Sequence, residues 1–154
     1  MTIFSHEMKQ NKNMLIIWSL SVGLLIFVCM MLYPQMQGQM EDINKVYSSM
    51  GSFSEAFGMD RLNFGTVMGF YGIEGGNILG IGGAFFAAMT GIGMLSKEEN
   101  AHTAEFLLTH GVSRKRIVAE KLLAVLTIIV IFNAVCIGLS MVSFKIIGED
   151  IAMK

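Results

Sequence analysis

The sequence predicts an all-α membrane protein that crosses the bilayer several times, and three observations lead to this fold class. Of the 154 residues, 53% are hydrophobic and only 15% are charged, whereas average soluble chains carry about 25% charged residues. Three long runs contain no acidic or basic side chain. A charged segment, residues 97–121, separates the second run from the third. We therefore expect a single transmembrane domain covering residues 1–154.

Each of the three apolar runs is long enough to span a membrane. They cover residues 13–36, 75–96 and 122–144. At ~1.5 Å per residue, a helix over each run is about 30 Å long or longer, which matches the hydrocarbon core of a bilayer. The first run is too long for a signal peptide and no cleavage site follows it, so we expect a retained span. Tyr33 and Pro34 predict an interfacial exit at which the helix breaks.

The distribution of basic residues predicts the orientation of the chain. Seven of the 11 Lys and Arg residues lie before span one or between spans two and three, against four on the other face. Because Lys and Arg in short loops concentrate on the cytoplasmic side, we expect the N-terminus and residues 97–121 to be cytoplasmic. Residues 37–74 and 145–154 are then external, and the expected location is the cell membrane.

Two short helices are predicted outside the spans. Apolar residues at helical spacing in residues 2–12 indicate a helix that lies along the inner leaflet, with a frayed polar terminus as the alternative. In the external loop, apolar residues recur at the spacing of an amphipathic helix: Ile43, Val46, Tyr47 and Met50. After the charged segment, Ser113 is the expected cap of the third long helix.

The second span carries a stripe of small residues that recur every four positions: Gly72, Gly76, Gly80, Ala84 and Ala88. In lipid, small residues at this spacing let two helix backbones approach closely, so the stripe predicts a helix-packing seam. Glu74 and Asn77 lie at the external mouth of this span. Ionisable residues at membrane depth often line a substrate path, although an acid at the interface needs no such role.

Neither a cofactor nor a metal site nor a catalytic set is predicted. The three His residues, His6, His102 and His110, do not have the spacing of a metal site. Cys29 and Cys136 fall inside spans, where small buried thiols are ordinary. A net charge of −1 indicates no nucleic-acid partner.

The charged segment contains the most specific pattern in the chain. Its residues occur in this order: Glu98-Glu99, Thr103, Glu105, Leu107-Leu108, Val112-Ser113-Arg114 and Lys121-Leu122-Leu123. This order resembles the cytoplasmic loop of permease subunits of type-2 ATP-binding-cassette (ABC) transporters, in which E-E, G-T-x-E-x-L-L, P-[VI]-S-R and K-L-L follow one another. His102 and Gly111 stand where the family pattern has Gly and Pro, and Gly111 still suits the end of a helix. The N-terminal helix, the exit of span one and the position of the loop extend the resemblance over essentially the whole chain.

The resemblance implies a permease subunit in which a separate cytoplasmic ABC ATPase subunit hydrolyses ATP and drives substrate translocation. The direction it suggests is export of a peptide, an antibiotic or a lipid-like molecule. Residues Ala101 to His110 would form a coupling helix that docks on the ATPase. The docking residues that it implies are Glu98, Glu99, Thr103, Ala104, Glu105, Phe106, Leu107, Leu108 and Arg114.

Members of that family usually have six spans, so the three spans here are expected to be an N-terminal half. A second permease chain or a missing C-terminal half would complete it, and membrane lipids are the other expected partners. Two other classes stay open. The chain is alternatively a non-transport scaffold or regulatory protein whose cytoplasmic loop binds another protein. A membrane-embedded enzyme is the third class, but the spans lack the polar pairs that such sites need.

Overall fold

The computed structural model describes residues 2–57, 62, 65–100 and 113–147. Every secondary-structure element in these ranges is helical, which confirms the predicted all-α class. Among the described residues, three helical segments are long and apolar enough to cross a membrane: Lys12–Ser49, Val67–Met94 and Lys115–Ile147. The chain therefore has three candidate membrane spans, as the sequence predicts.

The first part of the chain forms two helices, a three-residue turn and two further helices. Their bounds are α1 Thr2–Gln10, α2 Lys12–Met36, a 3₁₀ turn Gln37–Gln39, α3 Met40–Ser49 and α4 Ser52–Ala56. The expectation that Pro34 breaks the first span is wrong, because α2 continues to Met36. Pro34 removes one backbone donor, a loss that helices in membranes tolerate. The predicted amphipathic helix of the external loop is α3. Gly51, with φ +52°, separates α3 from α4 in a conformation that favours glycine.

The second apolar run belongs to a longer helical segment than the sequence predicts. It consists of α5 Val67–Phe70, a π-helical turn Tyr71–Gly75 and α6 Gly76–Asn100. Thr66 begins it, since its Oγ1 accepts a hydrogen bond from the Gly69 amide at 3.0 Å. The sequence places the start of this span at residue 75 because the run without acidic or basic side chains begins after Glu74. The cap at Thr66 and packing of the preceding turn extend the helix toward the N-terminus.

The third apolar run lies in α7, which covers Arg114–Ile147. Ser113 precedes the helix, and its Oγ accepts a hydrogen bond from the Arg116 amide at 3.4 Å. Its carbonyl oxygen accepts from the amides of Arg116 at 3.0 Å and Ile117 at 3.2 Å. These contacts confirm the predicted cap.

The chain divides into two compact units, the first within Met1–Ser19 and Gly83–Ala134 and the second within Leu20–Gly82 and Val135–Lys154. In the first unit, the rings of Phe86 and Phe132 stack with their centroids 4.6 Å apart. Trp18 lies against Phe86 at 5.9 Å. A Cβ atom at Gly83 would be 3.5 Å from the Phe132 ring, an ordinary packing distance. Aromatic packing of α2, α6 and α7 therefore forms this core.

The second unit has its own aromatic core. Tyr33 and Phe70 are 5.3 Å apart, and the Tyr33 hydroxyl donates a hydrogen bond to the Gly65 carbonyl oxygen at 2.9 Å. Tyr71 meets Phe144 edge to face at 5.1 Å. The end of α2 is thus fixed to the start of the second helical segment, and α7 packs on the turn that follows.

The long helices expose large apolar side chains over much of their length. Ile17 is 63% exposed, Ile92 68% and Val130 66%. Soluble monomers rarely expose contiguous apolar surface on this scale, whereas lipid tails cover such surface in a membrane. Together with the three candidate spans, this exposure is that of a multi-pass membrane protein.

Candidate functional site

Glu74 lies in the π-helical turn Tyr71–Gly75 between α5 and α6. Turns of this type are rare and occur frequently at functional sites. The ring of Tyr71 lies over Gly75, where an added Cβ would be 2.7 Å from the ring. Glycine at position 75 therefore allows Tyr71 to fold back along its own helix and reach Phe144. The same turn positions the Glu74 carboxylate, which is half-buried.

A cavity of about 370 Å³ lies beside Glu74 in the second unit. Its wall is built from the end of α2, the 3₁₀ turn, α3, α5 and the π-helical turn. The lining residues are Met36, Gln39, Asp42, Ile43, Val46, Tyr47, Phe70 and Glu74. A volume of this size, with apolar and aromatic walls and a few polar groups, is typical of small-molecule sites.

The two carboxylates of the cavity have different surroundings. Asp42 Oδ1 accepts a hydrogen bond from Lys45 Nζ at 3.3 Å, and their side chains are 83% and 75% exposed. An ion pair so accessible to solvent is weak. Lys45 therefore only partly offsets the negative charge of Asp42 at the rim of the cavity. Within the described part of the chain, Glu74 has neither an ion-pair partner nor a hydrogen-bond partner. The cavity therefore contains one shielded carboxylate that no described basic side chain pairs with.

Asn77, the other residue predicted for a substrate path, does not line this cavity. Its Nδ2 donates to the Phe57 carbonyl oxygen at 3.5 Å, a contact at the long end of hydrogen-bond distances. The structure therefore separates the two residues: Glu74 lies in the cavity wall, and Asn77 contacts the end of the α4 region.

A buried polar cluster in the first unit joins three helices. Glu7 of α1 is 1% exposed and Lys121 of α7 is 4% exposed, and Lys121 Nζ lies 3.7 Å from Glu7 Oε1. The same ammonium group donates to the carbonyl oxygen of Met94 in α6 at 2.5 Å. Asn11 Nδ2 contacts Glu7 Oε2 at 3.5 Å. Burial of both charges is compensated by their pairing and by these hydrogen bonds.

A neighbouring set of contacts fixes α1 to α7 a second time. Glu120 Oε2 accepts a hydrogen bond from the Phe4 amide at 3.3 Å. Glu120 Oε1 accepts from Arg116 Nε at 3.0 Å. The amide of Phe4 lies in the first turn of α1, where helix amides have no partner within the helix. The N-terminal helix is thus held on α7 at both Phe4 and Glu7.

Comparison with known families decides the identity of a chain with this fold. The sequence profile of the ABC-2 family transporter proteins matches residues 1–154. The chain belongs to the ABC-2 family of transporter proteins. It is therefore a membrane transport component of an ABC transporter. Neither the curated proteins nor the solved structures contain a match to the chain.

Six of the nine residues predicted to dock an ATPase in this ABC-2 protein lie outside the described part. Those within residues 101–112, from Thr103 to Leu108, are not described. Glu98 and Glu99 lie near the end of α6, and Arg114 is the first residue of α7. The ends of α6 and α7 that flank this segment belong to the first unit. The predicted coupling helix at Ala101 to His110 therefore stays a prediction, together with the docking roles.

The predicted seam of small residues faces away from other helices at the positions that can be compared. An added Cβ at Gly76 or Gly80 meets no described atom within 4 Å outside its own helix, and Ala84 and Ala88 are exposed. At Gly72 the Cβ would lie 2.7 Å from the side chain of Leu62. The role of the stripe in helix packing stays a prediction.

Other glycines make the close helix contacts within the ABC-2 chain. A Cβ at Gly23 of α2 would overlap the side chain of Leu139 in α7, and one at Gly82 would be 3.1 Å from Val22. Sequence reasoning missed Gly23, Gly82, Glu7 and the Lys121 pairing. The isolated Gly23 in an otherwise bulky run was the one available signal, because spacing rules detect stripes and not single close approaches.

Proposed function

We propose that this chain is the permease subunit of an ABC exporter, in which a separate cytoplasmic ATPase subunit hydrolyses ATP and drives substrate translocation. The observation that carries the proposal is the family match over residues 1–154, on a chain with three candidate spans. Export is the direction that the resemblance of the charged segment implies.

The chain lies in the cell membrane with its N-terminus in the cytoplasm. The excess of Lys and Arg before span one and between spans two and three supports this orientation. Residues 97–121 then face the ATPase, and the cavity beside Glu74 lies toward the external side. A transport substrate that binds there would leave the membrane on the side opposite to ATP hydrolysis.

Coupling between the two subunits passes through the segment that joins α6 to α7. In this proposal Ala101 to His110 form a coupling helix in a groove of the ATPase, with Leu107 and Leu108 as apolar anchors. The two flanking helices are linked by the hydrogen bond from Lys121 Nζ to the Met94 carbonyl oxygen. Lys121 also holds Glu7 of α1. A displacement of the segment would therefore move α6, α7 and α1 together.

The test is capture of the ATPase by the purified chain. Leu107→Asp would place an unpaired charge in the docking groove, where burial without a partner costs several kcal/mol. We expect loss of the co-purified ATPase and of ATP-dependent transport, with membrane insertion unchanged. Lys115→Ala is the matched control, since Lys115 is exposed in the first turn of α7. Equal capture by the Leu107→Asp chain and the parent would refute the coupling segment and favour a scaffold function.

The stripe of Gly76, Gly80, Ala84 and Ala88 is proposed as the seam with a second permease chain. Its support is the combination of small side chains at close-packing spacing with exposure of all four positions. A partner helix at this surface would come from a second permease chain or from a C-terminal half of the permease. In this assembly the two halves together form the translocation path.

A further inference from the structure

The Glu74 carboxylate in the cavity wall has no ion-pair partner among the described residues. An ionised carboxylate with restricted access to water loses part of its hydration, and proteins compensate such groups with a counter-charge or hydrogen bonds. Glu74 is half-buried and has neither among the described residues. Lys45, a basic residue of α3, contacts Asp42 at the solvent-exposed rim. Among the described residues, the carboxylate in the cavity wall is therefore available to pair with a cation that arrives with a ligand.

The walls of the cavity determine what kind of cation fits. Ile43, Val46 and Phe70 offer apolar surface, and Tyr47 adds an aromatic ring. Such walls cannot replace the water shell of a small hydrated ion. A search of the described residues finds no group of three or more His, Cys, Asp or Glu side chains that could hold a metal. Apolar and aromatic surface instead favours an organic cation, through burial of its hydrocarbon and through cation–π contact.

We propose that this cavity binds an amphipathic organic monocation, whose charged centre pairs with Glu74 and whose apolar body lies against α3 and α5. Asp42 at the rim attracts the same charge during entry. The volume of about 370 Å³ lies at the lower end of the range for small-molecule sites, which limits the occupant to one compact molecule. The identity of this molecule as the transported substrate rests on the proposed function.

The test measures binding of tetraphenylphosphonium, a compact amphipathic monocation, to the purified full chain by equilibrium dialysis. Triphenylphosphine oxide, which is similar in shape and uncharged, is the matched ligand. We expect saturable binding of the cation to the parent chain. Glu74→Gln removes the charge with little change of shape, and it should weaken cation binding about tenfold, or about 1.4 kcal/mol, while binding of the neutral ligand stays the same.

Two further variants separate the site from general effects. Glu41→Gln removes an exposed acid of α3 that does not line the cavity, and it should leave both ligands unaffected. Val46→Trp should fill the cavity and abolish binding of both. The difference between the parent and Glu74→Gln should shrink as ionic strength rises, because salt screens the approach of the cation.

Equal cation affinity in the parent and in Glu74→Gln would overturn the proposal. Absence of saturable cation binding to the parent chain would overturn it as well. That result would also be expected if a retained phospholipid or a second copy of the chain occupied the cavity. The experiment uses neither ATP nor the ATPase. A chain that binds the cation through Glu74 but captures no ATPase contradicts the proposed function alone. A chain that captures the ATPase but does not bind the cation contradicts this inference alone.

Discussion

Replacement of Lys121 by methionine should destabilise the first unit more than loss of any exposed ion pair. The side chains of Lys121 and Glu7 are 6% and 1% exposed, and their charged atoms are 3.7 Å apart. Methionine preserves the apolar stem but removes the ammonium group. Removal of one member of a buried pair leaves the other charge without its counter-charge, which costs about 3–5 kcal/mol. The hydrogen bond to the Met94 carbonyl oxygen is lost as well, at about 0.5–1.5 kcal/mol.

A second substitution, Glu7→Gln, should restore most of the stability that Lys121→Met removes. Glu7→Gln in the Lys121→Met background removes the carboxylate charge that has lost its ammonium partner, so most of the lost stability should return. Replacement of both members of a buried pair is often nearly neutral. This recovery distinguishes the energetic role of the pair from a general intolerance of position 121, because a packing defect would persist in the double variant.

The assay is unfolding in detergent micelles followed by tryptophan fluorescence. Trp18 is the single tryptophan of the chain and lies in the first unit against Phe86, so its emission reports on this unit. Arg116→Met is the matched control. Its ion pair to Glu120 is shorter, at 3.0 Å, but Arg116 is 65% exposed, and it should cost far less. Equal losses for Lys121→Met and Arg116→Met would refute the argument that burial, and not distance, sets the cost.

Three further predictions concern packing, topology and the second core. Gly23→Leu should reduce stability by about 1–3 kcal/mol through overpacking, whereas Gly80→Leu should leave unfolding unchanged and weaken chain association by about 1–2 kcal/mol; comparable unfolding of both would contradict this assignment. In a background without native cysteines, Ser48→Cys should react with a membrane-impermeant thiol reagent in intact cells and Ser96→Cys should not, and the reverse would invert the topology. Tyr33→Phe should cost about 1 kcal/mol, the contribution of one hydrogen bond, in detergent unfolding, and an unchanged midpoint would show that the contact to Gly65 does not stabilise the fold.

The sequence predicts the long helices well because one physical requirement governs them. A helix that crosses a bilayer needs about 20 consecutive apolar residues, and every backbone N–H and C=O group must form a hydrogen bond within the protein. The residue types alone show where the chain meets the first requirement. The cap at Ser113 is equally local, since it depends on one hydroxyl and the amides of the next turn. Helix ends were less predictable. The segment that begins at Val67 and the continuation of α2 through Pro34 depend on packing of neighbouring chain, which local patterns do not contain.

The candidate site shows where residue type alone fails. Glu74 stands out in the sequence because a carboxylate beside an apolar run is unusual. Four of the residues that line its cavity come from α3, and α4 and α5 lie between α3 and Glu74 in the chain. The pattern of Ile43, Val46 and Tyr47 predicted that helix without indicating what its surface would enclose. A cavity forms only through tertiary packing. The sequence therefore predicted Glu74 and α3 separately, but not the cavity that they line together.

The polar cluster shows the same limit more sharply. In the sequence, Lys121 counts as one of seven basic residues that predict the topology, and Glu7 as one acid in a polar N-terminal segment. Both would be solvated surface charges if each were considered alone, since Lys and Glu are almost never fully buried unless paired. Their burial follows only from their mutual contact across α1 and α7 and from the carbonyl of Met94 that shares the ammonium group. A basic residue beside an apolar run therefore has two physical roles that composition cannot separate. It can set orientation from the membrane surface, as Lys115 does in our assignment, or it can join helices from within the packed core, as Lys121 does. Lys115→Ala and Lys121→Met remove the same charge, and only the second should change the unfolding of the first unit.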